Sequence, residues 1–345
     1  MKITKSQLKT TMALLKPMEE KDQAISIHVT DGLVHIYSKR DGSFLMLKQI
    51  KTEDPDSHKV TIKKDFLAKL FKQDAEEVNI KINEKTLTSK VNGMSFTTSI
   101  LVEEQEITFP IDNPEGTKIT ITEDIIKAMN TALSYVSKDS KKAQLLGVNI
   151  VLKNKVLSIN ASDSLKLYVH EFNTDVEGEF SVIIRPETVS LLTATSMAIG
   201  SKPYPVLINE NNLYIISKGM YYKTVFITGS FPNLNAVFDK VTASPTVMEL
   251  EIDEESIKKL KAIENESKTL EIEKVGKAIN FIVKSEIDKN SFSMQTESDV
   301  ADFVKKVNYN SLTEVLSILQ TVTIKADFLL LKKENVRVIL LAMRE

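Results

Sequence analysis

Four histidines, forty-seven acidic residues and no cysteine define the catalytic chemistry open to this chain. His28 and His35 lie on runs that read as adjacent strands, and neither His58 nor His170 supplies a third ligand near them. A zinc site without cysteine needs carboxylates, and none stands at ligand spacing. The pair Asp54 and Asp56 in EDPDS reads as a loop, since so acidic a chain must contain some such pair. No glycine-rich phosphate loop, nucleophile elbow or HExxH occurs. The expectation is a non-enzymatic protein with no catalytic residue, no metal and no cofactor. The lack of cysteine also excludes disulfides and points to a reducing cytoplasm.

Lysine is the other residue type with chemistry to offer. Candidate helices carry Lys5, Lys9, Lys63, Lys64, Lys69 and Lys72, then Lys127, Lys138, Lys141, Lys142 and Arg185, then Lys258, Lys259 and Lys261. Lysine is a hydrated point charge that attracts phosphate without reading bases. Scattered lysines ordinarily mark a solvated helix face. The net charge of −2 argues against tight nucleic-acid binding and leaves room for a loose, locally basic enclosure.

The elements that must position these residues repeat. Leu8, Met12 and Leu15 fall on one helical face, as do Ile125, Met129, Leu133 and Val136, and again Ile257, Leu260 and Ile263. Thr122, followed by Glu123 and Asp124, reads as the cap of the second of these helices. A second set of helices starts at Ile62, Arg185 and Asn308, with Pro186 suited to a first turn. Alternating β-rich runs follow every helix, punctuated at Asp31-Gly32, Asn83-Glu84, Asn92-Gly93, Asn209 to Asn212 and Lys218-Gly219. Each third of the chain therefore reads helix, strands, helix, strands. Two segments, SKVNGMSFTTSILVEEQEITFPIDN and SKGMYYKTVFITGSFPNLN, share Gly-Met, a strand and Phe-Pro. Linkers at IDNPEGT and VTASPT divide the chain into 1–115, 116–243 and 244–345. The fold class is α+β: three repeated domains, each with two helices on antiparallel sheets. Such an array leaves exposed sheet edges unless it closes as an oligomer. The 42% hydrophobic content supplies an ample core, no run of 18 apolar residues spans a membrane, and MKITKSQLKT lacks a signal-peptide stretch.

Over its whole length the chain resembles the β subunit of bacterial DNA polymerase III, the sliding clamp. The opening MKIT, the stretch LLGVNIVLKNKVLSINASDSLKLYV, the segment GSFPNLNAVF and the terminal VILLAMRE carry the likeness. They resemble the family's Leu-x-Gly to Asp-Gly-His-Arg-Leu stretch, its Gly-x-Phe-Pro-Asp-Tyr segment and its Met-Pro-Met-Arg end.

The resemblance implies a head-to-tail homodimer closing a ring around duplex DNA, without sequence preference. It also implies a cleft where DNA polymerase, clamp loader and repair proteins dock peptides like Gln-Leu-x-Leu-Phe. Carried over residue by residue, the cleft comprises Leu145, Ser162, Leu165, Lys166, Leu167, Pro232, Val237, Ile339, Leu341, Ala342, Met343 and Arg344. Phe96, Leu260 and Ile263 become dimer contacts. The sequence departs from the family at Ser164, Leu165 and Lys166, where Gly, His and Arg stand, and at Ala236 and Ala342, which replace Arg and Pro. The expected cleft is less basic. A repeat-built adaptor that binds proteins without DNA, or a hydrolase using unrecognised carboxylates, are the rival readings.

Overall fold

Alternation of apolar and polar residues, broken at turn-forming dipeptides, builds this chain almost entirely from short antiparallel strands. The computed structural model describes residues 1–18, 24–51, 57–73, 75–101, 114–139, 141–217, 219–263, 269–284 and 289–343. Asp54 and Asp56, the first three residues of IDNPEGT, Lys218 and Arg344 lie outside the described residues.

One motif recurs six times among the described residues: a strand, a helix, then a three-stranded meander. The strands Lys2–Thr4, His58–Lys63, Thr117–Ile121, Phe180–Ile184, Thr246–Glu251 and Phe303–Asn308 lead the six units. The helices that follow are Lys5–Leu15, Asp65–Phe71, Glu123–Leu133, Pro186–Ala198, Glu254–Lys261 and Tyr309–Leu316. Each leading strand pairs with the meander of its sibling in the same third of the chain. Lys2 faces Asn79 while Ala24 faces Lys63; Tyr204 faces Ile121; Thr246 faces Lys325 while Thr269 faces Asn308. Sequence periodicity finds all six helices, though the run read as helical from Ile62 is strand to Lys63 and turns helical only at Asp65, and it misses the leading strands, which are too short to show a pattern.

The chain falls into two compact units. The first comprises Met1–Asn130, Val176–Gly178 and Ile184–Ile227. Its larger sheet has eight strands in the order His58–Lys63, Ala24–Thr30, Leu33–Arg40, Ser43–Lys51, Met220–Val225, Asn212–Ser217, Tyr204–Ile208 and Thr117–Ile121. Its smaller sheet runs Lys2–Thr4, Glu77–Ile82, Thr86–Val91 and Met94–Ser99. The second unit comprises Thr131–Asp175, Glu179–Ile183 and Thr228–Glu345. Its eight-stranded sheet runs Phe180–Ile184, Val148–Lys153, Val156–Ser162, Lys166–Asn173, Val336–Leu341, Phe328–Lys333, Thr321–Lys325 and Thr246–Glu251. Lys289–Gln295, Ala278–Lys284, Thr269–Val275 and Phe303–Asn308 form its four-stranded sheet.

Local chemistry explains the boundaries. Thr4 and Gln7 form a reciprocal capping box, and Asp253 and Asn308 each accept the N–H of the serine three residues on. Thr122 caps as its sequence context predicts, accepting the Ile125 N–H at 3.3 Å, and Pro186 opens its helix. Asp31-Gly32 and Asn92-Gly93 have positive φ at both positions, as two-residue hairpin turns require. In the first unit Leu8, Leu15, Phe66 and Leu70 are buried; in the second, Leu260, Leu312 and Leu316.

Three expectations need correction. The second-third helix ends at Leu133, short of Val136: Ser134, Tyr135 and Val136 donate to carbonyls three residues back, the tight bonding that closes a helix. Lys138, Lys141 and Lys142 therefore lie on the following loop. VTASPT is only partly linker, because a helix spans Leu234–Ala243. That helix has an Asn233 cap and an apolar stripe of Leu234, Val237, Phe238 and Val241, a signal present in the sequence but not read as a helix.

Candidate functional site

The site is built on one face of the second unit's large sheet. Lys166–Asn173 and Val336–Leu341 pair antiparallel with Leu167 opposite Ile339 and Val169 opposite Arg337. Alternation sends Tyr168 and Val338 into the core and turns Leu167, Val169 and Ile339 to the other face. The helix Leu234–Ala243 lies on that face. Its Val241 completes a buried cluster with those three side chains, against which Phe231, Leu234, Val237, Phe238, Phe328 and Leu330 pack half-buried.

At the end of the same strands a turn reshapes the surface. Asp163 accepts the N–H groups of Leu165 and Lys166, both at 2.9 Å. Ser162 Oγ donates to the Lys166 carbonyl at 2.8 Å and accepts the Ser164 N–H at 3.1 Å. Ser164 takes φ +83°, where the family motif has the glycine that this conformation favours. The Leu341 N–H then donates to the Leu165 carbonyl at 2.8 Å. Leu165 is left 66% exposed, Leu341 39% and Met343 48%. With Lys166, Asp327, Phe328 and Ala342 they line a hollow of about 610 Å³. Isolated surface leucines are unremarkable, but three large apolar side chains around one hollow form a surface suited to apolar anchors.

The electrostatics are subdued. The charge of Lys166 is partly engaged: its Nζ sits 3.9 Å from a Glu314 oxygen and 4.8 Å from the Tyr135 ring centre. Tyr135 is fully buried, and burial, followed by the nearby Glu314, raises its hydroxyl pKa far above the usual phenol value.

Eight of the twelve carried-over residues meet around these two patches: Leu165, Lys166, Leu341, Ala342 and Met343 at the hollow, Leu167, Val237 and Ile339 at the cluster. Ser162 shapes the turn between them. Pro232 lines a neighbouring hollow. Leu145 is buried in a 3₁₀ turn at Ala143–Leu145 and offers no wall to either patch. Sequence resemblance missed the contributions of Phe231, Phe238 and Phe328; the apolar stripe of the Leu234–Ala243 helix could have signalled Phe238.

No protein-family model and no curated protein matches the chain. Solved structures do. The DNA polymerase III β subunit of Thermotoga maritima aligns with TM-score 0.85 at 14% identity, over 100% of this chain and 99% of that one. The β subunit of Pseudomonas aeruginosa aligns with TM-score 0.83 at 12% identity over 99% of both chains. The Helicobacter pylori β clamp bound to a DNA ligase peptide aligns with TM-score 0.79 at 16% identity, over 100% of this chain and 99% of that one. This chain has the sliding-clamp fold.

Within the sliding-clamp fold the candidate DNA-facing residues divide. Lys5, Lys9, Lys69, Lys127, Lys258, Lys259 and Lys261 are exposed on helices, with Lys63 and Lys72 exposed at the ends of flanking elements. Lys64 is only 5% exposed, a correction to its place in the set: its side chain turns inward at the helix start. Lys127 and Lys259 pair with Glu123 and Glu255 one helical turn back, at 3.0 and 2.6 Å, which tempers their charge. Arg185 is half-buried with its Nε unpartnered.

Of the candidate dimer residues, Phe96 is half-buried on the outermost strand of the first unit's small sheet. Ile263 borders a hollow with Lys259 and Phe292. Leu260 is 1% exposed and packs inside its own unit, which takes it off the surface. His28 and His35 stand directly opposite on adjacent strands, as expected, and Tyr37 OH lies 3.2 Å from His35 Nδ1. Among the described residues no group of three or more His, Cys, Asp or Glu could hold a metal ion. No helix among them is long and apolar enough to cross a membrane.

Proposed function

We propose that this protein is a non-catalytic processivity subunit. Two copies join head to tail around duplex DNA and tether DNA polymerase, clamp loader and repair proteins through short peptides docked at the Leu165–Leu341 hollow and the adjoining Leu167–Ile339 cluster. The full-length correspondence to sliding clamps carries this reading. The peptide seated on the related Helicobacter pylori clamp supports the docking role, as does the apolar surface around Leu165.

The two small sheets support ring closure. Met94–Ser99 ends one and Lys289–Gln295 ends the other, and among the described residues neither has a strand on its outer side. Both carry a Ser-Phe step, Ser95-Phe96 and Ser291-Phe292, with half-buried rings. Open edges of this kind favour pairing with another chain, and a head-to-tail dimer satisfies both. Exposed lysines on helices suit loose, sequence-independent attraction to phosphate. The strand exchange between siblings supports three domains, at 1–115, 116–243 and 244–345. Duplex DNA in a cytoplasm is the natural setting for such a subunit.

Fluorescence anisotropy with a labelled Gln-Leu-x-Leu-Phe-like peptide tests the docking role. Saturable binding that Leu165→Asp weakens by about thirty-fold is expected. No binding at millimolar protein contradicts it.

A further inference from the structure

Beside the apolar cluster the same sheet face of the second unit changes character. Outward positions on such a sheet ordinarily carry charged side chains, yet Asn149 and Asn160 sit there almost wholly buried. They belong to a hydrogen-bonded row across three strands. Ser158 Oγ donates to Asn160 Oδ1 at 2.7 Å, and Asn160 Nδ2 donates to Asn149 Oδ1 at 3.3 Å. Asn149 Nδ2 in turn donates to Ser181 Oγ at 3.1 Å and to the Val182 carbonyl at 3.2 Å. The row floors a hollow of about 650 Å³, within the size range of ligand sites. Half-buried Ser158 and exposed Ser181 end it with hydroxyls that keep bonding capacity toward the hollow.

Two of the three charged side chains that line it are spent on each other. Arg337 pairs with Glu171 at 2.5 Å and lies 4.3 Å over the Phe238 ring, leaving Lys153 at the rim. Neutral amides and hydroxyls beside aromatic rings favour uncharged hydrogen-bonding groups over phosphate or carboxylate, whose desolvation they cannot offset. Position decides the occupant. Val169, Phe231, Leu234 and Phe238 belong both to this hollow and to the apolar cluster, so a chain anchored on the cluster runs directly into it.

We propose that this hollow binds an extended, uncharged polar segment of the partner peptide flanking its apolar anchors. The inference rests on the docking role proposed above and adds a second contact region to it.

The test uses the full-length protein and four labelled peptides: the anchor motif alone, the motif extended by Ser-Gln-Asn-Ser on its N-terminal or its C-terminal side, and the better extension rebuilt with glutamate. One neutral extension is expected to bind about tenfold tighter than the anchors alone, equivalent to about 1.4 kcal/mol. The glutamate version is expected to lose that gain. Ser181→Arg and Val156→Arg, which intrude on the hollow away from the anchor cluster, are expected to remove the gain and leave anchor-only affinity unchanged. Equal affinity for all four peptides overturns the proposal, as does a gain that survives in both folded variants. If the anchor motif itself fails to bind, the docking role fails and this inference falls with it.

Discussion

The backbone N–H of Leu341 donates to the carbonyl of Leu165 at 2.8 Å, and this bond sets two exposed leucines side by side on strands far apart in sequence. The Asp163 turn fixes one of them and the strand end the other. Because Leu165 is two-thirds exposed, Leu165→Asp is expected to leave the unfolding midpoint nearly unchanged. Peptide affinity is expected to fall by about thirty-fold, or ~2 kcal/mol, the loss of one anchor contact. Parallel melts and anisotropy titrations measure both. A large stability loss would instead make Leu165 structural.

Leu167 contrasts with it. The side chain is 5% exposed beneath the Leu234–Ala243 helix. Leu167→Ala is expected to destabilise the protein by about 2–5 kcal/mol, from lost burial plus a residual cavity. Urea unfolding followed by circular dichroism reads this directly. Deleting Met343 to Glu345 removes hollow wall at a strand end and is expected to weaken peptide binding with a far smaller effect on unfolding.

Much of this architecture is legible in the residues. Apolar spacing marks the six repeated helices, and Asp31-Gly32 and Asn92-Gly93 announce their hairpins. The leading strands escape because three to six residues give no reliable period, and their exchange between siblings is a tertiary fact. Lys64 shows the limit for the site: nothing in IKKDFLAKLFK separates an inward lysine from an outward one. Leu145 shows it again, being apolar in a matching motif yet buried away from both patches. Resemblance finds the Leu165 and Leu341 stretches, while the buried asparagine row needs the sheet register to appear.

The open edges at Phe96 and Phe292 make assembly testable. Phe96→Asp, on an exposed edge strand, is expected to shift sedimenting species from dimer toward monomer at micromolar concentration. Sedimentation velocity over a dilution series reads the change. An unmodified protein that is strictly monomeric at micromolar concentration contradicts ring closure.

His35 gives the first unit a pH dependence. Burial, then the charge of Lys48, lowers its pKa below the ordinary histidine value. The unfolded chain therefore binds the proton more readily, and stability present above about pH 6.5 declines as pH falls through the folded pKa. His35→Gln is expected to flatten that decline between about pH 7.5 and 5.5. Thermal melts across this range check it, and identical pH profiles for both proteins would contradict the assignment.

Duplex DNA is expected to bind weakly and without preference, given the net charge of −2 and helices whose lysines partly pair within their own turns. A tenfold preference between two unrelated duplexes, about 1.4 kcal/mol, would count against encirclement.

Topological retention tests the central claim most directly. The protein is assembled with a clamp loader on nicked circular plasmid, then passed through a gel-filtration column in salt high enough to screen phosphate contacts. Encirclement predicts that it elutes with the circle and is released when a single cut linearises the plasmid. Equal retention on circular and linear DNA, or none on either after loading, would contradict it.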